Sequence, residues 1–433
     1  MMSFSRVDAF GPRILALLSS PMSRAGLMLT VANLISGVVG YIYQVIMGRV
    51  LGPADFALFS AASALIMFIV SPLNAMFMII SRRVTILRVH LHFDALRRFY
   101  WRSSVAVLVA GVALMPVMFV FSTDLQGLLK SPSVTVVWIL VAIVLFSALF
   151  LINNAFFQGE QRFALLGGAG VALAILKIPL GLLGVKLVYG VEGALLGLML
   201  AAAITWLIGV ALHQGRYVGH AIAPQTTIKD ITLADVWPVL LANVLFAAMT
   251  QLDMVLVNWF FSAEDAGQYA AVSVLGKAVL YLSGGVVLSL FPMVAEKHTQ
   301  DISTTHMLRQ AVVLVALFSG TLAFLYWLIG RWLVLVFYGE HFTVAGELLR
   351  WYGFAIMPMA LVMVAEYYLL AKGQLLFVWL FLVIAPIPIL AISVWHANLI
   401  QVIWMIGVSG GVLAAVGFLL LWLQERKCPE IIK

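Results

Sequence analysis

Twelve apolar runs of roughly 20 residues follow one another along this chain, and no other feature limits its fold as much. A run of that length as a helix crosses a hydrocarbon core of about 30 Å. The runs lie near 25–48, 56–80, 103–122, 134–157, 163–184, 188–212, 237–260, 267–291, 309–330, 347–370, 374–394 and 398–423. Backbone amides and carbonyls have no water to bond inside a bilayer, so each run is predicted to be helical. Little sequence remains between them, and only 10% of the 433 residues are charged. The chain therefore reads as a single all-α polytopic membrane protein. Prolines within the runs, at 72, 116, 179, 358, 386 and 388, predict kinks or local breaks.

Lysine and arginine are distributed unequally. With the N-terminus in the cytoplasm, 18 of them fall on the cytoplasmic side, five fall on the outside, and Lys177 and Lys277 fall within spans. Positive residues are retained inside, so both termini are predicted to be cytoplasmic. The net charge of +7 belongs to that asymmetry and is no nucleic-acid footprint. The polar segment 1–22 lacks a small-x-small cleavage site, so the run after it reads as a retained first span. The single cysteine, Cys428, leaves no disulfide within the chain and no metal-binding cysteine pair. His90 and His92 sit among six arginines and read as neighbours of anionic headgroups rather than as metal ligands.

The chain also repeats itself. Val31 to Leu65 closes one helix, turns at Leu51-Gly52-Pro53-Ala54-Asp55 and opens the next; shifted by 210 residues it matches seven of 35 positions. Ala32-Asn33 falls on Ala242-Asn243, Asp55 on Asp265 and Phe59 on Tyr269. A second echo pairs the turn after span 4, Gln158-Gly159, with Lys372-Gly373 after span 10, each read as a helix stopped by glycine. Six spans separate the copies, so they have the same topology, as parallel repeats do in many transporters. The expected division is an N-terminal six-helix lobe over 1–213, a cytoplasmic linker over 214–236 and a C-terminal lobe over 237–433.

Two of these turns carry a resemblance. Arg49-Val50-Leu51-Gly52-Pro53-Ala54-Asp55-Phe56 resembles the R-x-L-G-P-x-x-[FY]-G turn of Wzx-type polysaccharide flippases, with Ala57 in place of the last glycine. Phe157-Gln158-Gly159-Glu160-Gln161-Arg162-Phe163 resembles their Q-G-x-x-[RK]-[FY] turn. These flippases belong to the multidrug/oligosaccharidyl-lipid/polysaccharide exporter superfamily. The resemblance implies a MATE-like, V-shaped bundle of two pseudo-symmetric six-helix lobes around a cavity. It also implies bacterial inner-membrane translocation of a polyprenyl-diphosphate-linked oligosaccharide by alternating access, for cell-surface polysaccharide synthesis. Other polysaccharide-assembly proteins are the partners such a role brings.

Ionisable residues inside spans mark where function is to be sought. Lys277 and Lys177 are candidate contacts for a diphosphate, against a helix-bridging ion pair for the first and interfacial snorkelling for the second. Asp253 either binds a coupling proton or sodium ion or pairs with Lys277 or Lys177; Glu366 either binds such an ion, lies at the interface or pairs with Lys372. Arg49 either touches the saccharide or pins its own turn through Asp55. Asn33 and Asn243, equivalent by repeat, bind sugar hydroxyls or bond across helices. No Gly-x-x-x-x-Gly-Lys-[Ser/Thr] loop occurs, so the chain is not read as an ATPase, and no cofactor is implied. An organic-cation antiporter of the same superfamily is the alternative, although cavity lysines argue against it. A membrane-embedded polymerase or acyltransferase needs a catalytic cluster on an outer loop, and Glu340-His341 alone is a weak acid-base pair. The chain is therefore expected not to be an enzyme.

Overall fold

The computed structural model describes residues 21–89, 93–188, 190–214, 233–299 and 304–427. The expected cytoplasmic termini with Cys428, the histidines 90 and 92, and all of the 214–236 linker except Gln214 and 233–236 lie outside these. The described residues form α1 (Pro21–Val70), α2 (Leu73–Val89), α3 (Phe93–Val120), α4 (Ser122–Leu129), α5 (Thr135–Gly159), α6 (Phe163–Val188), α7 (Gly190–Gln214) and α8 (Leu233–Phe260). After these come α9 (Ala263–Gly276), α10 (Ala278–Thr299), α11 (Thr305–Tyr338), α12 (Thr343–Ala371), α13 (Leu376–Ile384), α14 (Pro386–Val394) and α15 (Leu399–Lys427). No strand occurs among them. Eleven stretches are long and apolar enough to cross a membrane. The first of these, Met28–Val70, is two limbs meeting at Gly52, so the described residues hold twelve limbs of the kind the twelve runs predict.

The proline expectations divide. Pro72 separates α1 from α2, and Pro386 opens α14 after a break. Pro116, Pro179 and Pro358 sit inside unbroken helices. Helix α3 starts at Phe93, well before the apolar run, because the intervening turns are amphipathic: Leu96 and Tyr100 are buried while Arg97, Arg98 and Arg102 face out. The break at Lys277 between α9 and α10 has no proline to announce it.

The two repeated turns are made by different chemistry. Gly52 adopts φ 74° and ψ 172°, a conformation open only to glycine, and Pro53 then starts the second limb with a φ already suited to a helix. Ser262 instead caps α9 in extended backbone: its hydroxyl accepts from the Asp265 amide at 3.1 Å and donates to Asp265 Oδ2 at 2.7 Å. The second echo needs correction. In the first copy the left-handed residue is Gln161 (φ 58°), not Gly159, and it corresponds to Gly373 (φ 68°). The same wrapped pair of bonds follows in each, Arg162 N–H to Phe157 and Gln374 N–H to Leu369. Gly159 stays helical because α2 crosses it: a side chain there would meet the Ser81 carbonyl and Val84.

Helices α1 and α6, α6 and α7, and α5 with α2, α3 and α7 pack in the first half; α12 packs on α10, α11 and α15 in the second. The halves meet at the face carrying Gly52. A Cβ on Gly267 would overlap the Pro53 carbonyl, and one on Gly48 the ring of Tyr338. Asn258 Nδ2 donates to the Leu129 carbonyl at 2.7 Å, and Lys130 Nζ to that of Phe261 at 2.9 Å. Further along, contact persists between α1 and α8, where Ser71 Oγ donates to the Asn243 carbonyl at 3.3 Å. Helix α9 packs closely on α1, but its continuation α10 has no comparable contact with it. A cleft therefore opens between residues 28–47 and α10 toward the opposite, arginine-rich face.

The overlap at Gly267 gives a stability prediction. Gly267→Val should lower the midpoint of thermal unfolding in detergent, overpacking costing about 1–3 kcal/mol. Gly285→Ala, in open space on α10, should leave it nearly unchanged.

Candidate functional site in the cleft between the halves

On the first limb of α1, Asn33, Gly37, Gly40, Tyr41 and Gln44 follow the spacing i, i+4, i+7, i+8, i+11 and so share one helix face. The stripe is polar or small in an otherwise apolar limb. Beside Gly37 and Gly40 there is open space where side chains would be. Tyr41 lies within electrostatic reach of Tyr326 and Tyr338 on α11, in the other half, so the stripe faces the cleft. Gln44 Oε1 and Tyr338 Oη are buried without a hydrogen-bond partner among the described residues. Such atoms are uncommon in native interiors and mark places for a polar ligand group or water. The Gly52-side end of the cleft is an aromatic plug: the Tyr338 ring lies 5.7 Å from Phe56 and 5.1 Å from Phe342.

Behind this plug the second half holds a buried charge cluster. Lys277 Nζ lies 3.3 Å from Asp253 Oδ1. Asp253 Oδ2 accepts from Tyr269 Oη at 2.8 Å and from Tyr352 Oη at 3.5 Å. Both ions are almost fully buried, at 6 and 4% exposure. Lys277 occupies the junction between α9 and α10, so the pair joins α8 to the break in its neighbour. Gly276 admits Tyr352: any side chain there would strike its ring. Tyr326 Oη donates to the Leu275 carbonyl at 2.7 Å, linking α11 to the same break. Lys277 is thus half of an ion pair in this conformation, and no free cation.

The remaining candidates separate. Lys177, half-buried on α6, makes no hydrogen bond or ion pair with the described residues. It lies one turn from Gly181, which abuts Tyr43 and Met47 of α1, and two turns from Gly170, beside Ser36. Arg49 is exposed and makes no ion pair among the described residues, so the pin through Asp55 does not form there; the Asp55 carboxylate lies beside Gly190 instead, across the elbow. Asn33 is exposed with no hydrogen bond, whereas Asn243 Nδ2 donates to Val239 of its own helix at 2.8 Å. Neither side chain makes the interhelix bond that was one reading of the pair. Glu366 is 2% exposed and its Oε2 is unpartnered. The pairing with Lys372, one of its readings, does not form: six residues place the two about 120° apart around the helix. The Lys372 ammonium lies over the Tyr368 ring, 4.8 Å from its centroid. Seven residues before their left-handed turn residues, Asn154 and Glu366 hold equivalent places, and Asn154 Oδ1 is also buried and unpartnered.

Sequence reasoning missed Tyr41, Gln44, Tyr326 and Tyr338. The spacing of the α1 stripe was the available signal for the first two. The tyrosines of α11 carry none, since their place depends on how the halves dock.

Residues 23–298 match the sequence model of a family described as polysaccharide biosynthesis protein. No curated protein matches the sequence. Among solved structures, an inward-facing multidrug resistance MATE family transporter of the MOP superfamily superposes with TM-score 0.68 at 16% identity, over 94% of this chain and 100% of that one. The lipid II flippase MurJ, in an inward closed conformation, superposes with TM-score 0.67 at 13% identity, over 91 and 87%. An outward-facing MATE transporter gives 0.64 at 17%, over 92 and 95%. At these identities the likeness is one of fold.

The buried pair sets an order of stabilities. Asp253→Leu strands an ammonium and should destabilise by about 3–5 kcal/mol. Adding Lys277→Met should recover most of that loss, as measured by denaturant unfolding of the parent, the two single variants and the double variant.

Proposed function

This chain belongs to the polysaccharide biosynthesis protein family, and from that membership we propose that it is a flippase for a polyprenyl-diphosphate-linked oligosaccharide in a bacterial inner membrane. The observation that supports the reading is Lys177, half-buried in mid-helix and unpaired among the described residues, on a face of α6 that packs against Ser36, Tyr43 and Met47 of the limb carrying the amide-and-tyrosine stripe. An uncompensated ammonium in a lipid-embedded bundle is costly unless it meets an anion or water. A diphosphate supplies that anion, and Lys177 meets it as a compact point charge. Sugar hydroxyls pair with Asn33, Tyr41 and Gln44, with Asn243 at the α1–α8 side and Arg49 at the outer end. The polyprenyl tail stays in lipid through the gap between residues 28–47 and α10.

In this reading the arginine-rich face is cytoplasmic and the cleft is loaded from it. Release requires the contacts around Pro53, Gly267 and Tyr338 to part while the opposite ends close, with the lobes 1–213 and 237–433 as moving bodies and 214–236 between them. Lys277 serves the substrate only when Asp253 lets it go, and a proton or sodium ion at Asp253 does that. Glu366 is the second carboxylate suited to such an ion. An organic-cation antiporter is the second reading, favoured by the buried, unpartnered carboxylate of Glu366.

Scrambling of a lipid-linked oligosaccharide in proteoliposomes is the test. Lys177→Ala should slow transfer about tenfold or more, since a charged contact is worth about 1.5–3 kcal/mol, and Lys177→Arg should retain most of the rate. Equal rates in the parent and Lys177→Ala would remove the assignment. Extrusion of a cationic dye by the same vesicles would favour the antiporter.

A further inference from the structure

The foot of α3 carries an exposed group of cations that the transport reading does not use. Arg97, Arg98 and Arg102 surround, with Trp101 and Asp94, a surface hollow of about 430 Å³. None of the three arginines forms an ion pair with the described residues, and Asp94, one turn before Arg98, is not paired with it. The group is held in place from behind. Leu96 and Tyr100 are buried, and Tyr100 Oη donates to Asn153 Oδ1 of α5 at 2.7 Å.

What continues from this group indicates its occupant. Arg98 shares a helix face with Val105, Val109 and Val112, at i+7, i+11 and i+14. These valines are 49, 60 and 60% exposed, and α3 is the least covered of the spanning helices. The face is therefore a lipid-side strip with cations at its end, where headgroups lie. Arg98 and Arg102 are one turn apart, about 6 Å along the axis, so they address two phosphates side by side. Trp101 sits between them, at the depth where indole rings settle.

We propose that this surface is a binding site for a doubly anionic phospholipid of the adjacent leaflet, with its two phosphates on Arg97, Arg98 and Arg102 and an acyl chain along Val105, Val109 and Val112. Clusters of basic residues next to a membrane-spanning helix suit such headgroups. The proposal does not depend on what the cleft transports.

Native mass spectrometry of the full chain in detergent tests it, with cardiolipin, phosphatidylglycerol and phosphatidylethanolamine as probes and sodium pyrophosphate as a soluble competitor. Cardiolipin adducts should exceed those of phosphatidylethanolamine about fivefold or more, and Arg98→Gln, Arg102→Gln should bring them to the same level. Thermal unfolding provides a second reading: cardiolipin should raise the midpoint of the parent and not of the double variant, whose lipid-free midpoint should match the parent's. Equal retention of the three lipids, or adducts unchanged in the variant, would overturn the proposal. Displacement of cardiolipin by millimolar pyrophosphate would also overturn it, assigning the hollow to soluble phosphates.

Discussion

Two backbones touching at Pro53 and Gly267 hold the halves of this protein in register. The contact is possible because one partner has no side chain. In the 210-residue repeat, Gly267 stands opposite Ala57, so the copy lacking glycine after its own elbow is met by a copy that has it. Around this point the rings of Phe56, Tyr338 and Phe342 close one face of the molecule. The cleft is the space that remains once the halves are joined here and nowhere near α10.

The halves are alike in path and unlike in chemistry. At the 210 offset, Asp253 takes the place of Tyr43, Tyr269 that of Phe59 and Lys277 that of Met67. Where the first half has an edge-to-face contact of Tyr43 and Phe59 at 6.0 Å, the second has a hydrogen bond of Asp253 and Tyr269. A buried ion pair of this kind is a poor source of stability compared with apolar packing of equal volume. The first half has no such pair at the matching positions, Tyr43 and Met67; its buried carboxylate, Glu160, instead meets Arg162 at 3.6 Å and His213 at 4.0 Å.

Hydropathy alone predicted that the chain is helical and polytopic, because lipid leaves the backbone no other solution. The elbow at Gly52 was legible for the same kind of reason, since a Leu-Gly-Pro sequence admits few conformations. The turn after α5 was misread at Gly159, because sequence shows a glycine but not whether it serves a bend or a crossing helix; here it serves the crossing of α2. The sequence offered Asp253 as a partner for Lys277 or Lys177, and the packing of α8 on α9 selects Lys277, at 3.3 Å. Glu366 and Lys372 looked like neighbours along the sequence and proved to lie on different sides of their helix. Tyr326 and Tyr338 were invisible, because a tyrosine in a long apolar helix reads equally well as core or as an interface anchor.

The interruption at Lys277 has a mechanical consequence. An unbroken helix transmits a push along its whole length, so moving its far end would pry loose the end seated on Pro53. At Lys277 the path loosens without stopping, its amide still bonded to Ser273 and its carbonyl to Tyr281, which leaves one turn where α10 can flex against an α9 seated on α1. The Asp253–Lys277 pair sits on that turn, so its stiffness depends on charge as well as on packing.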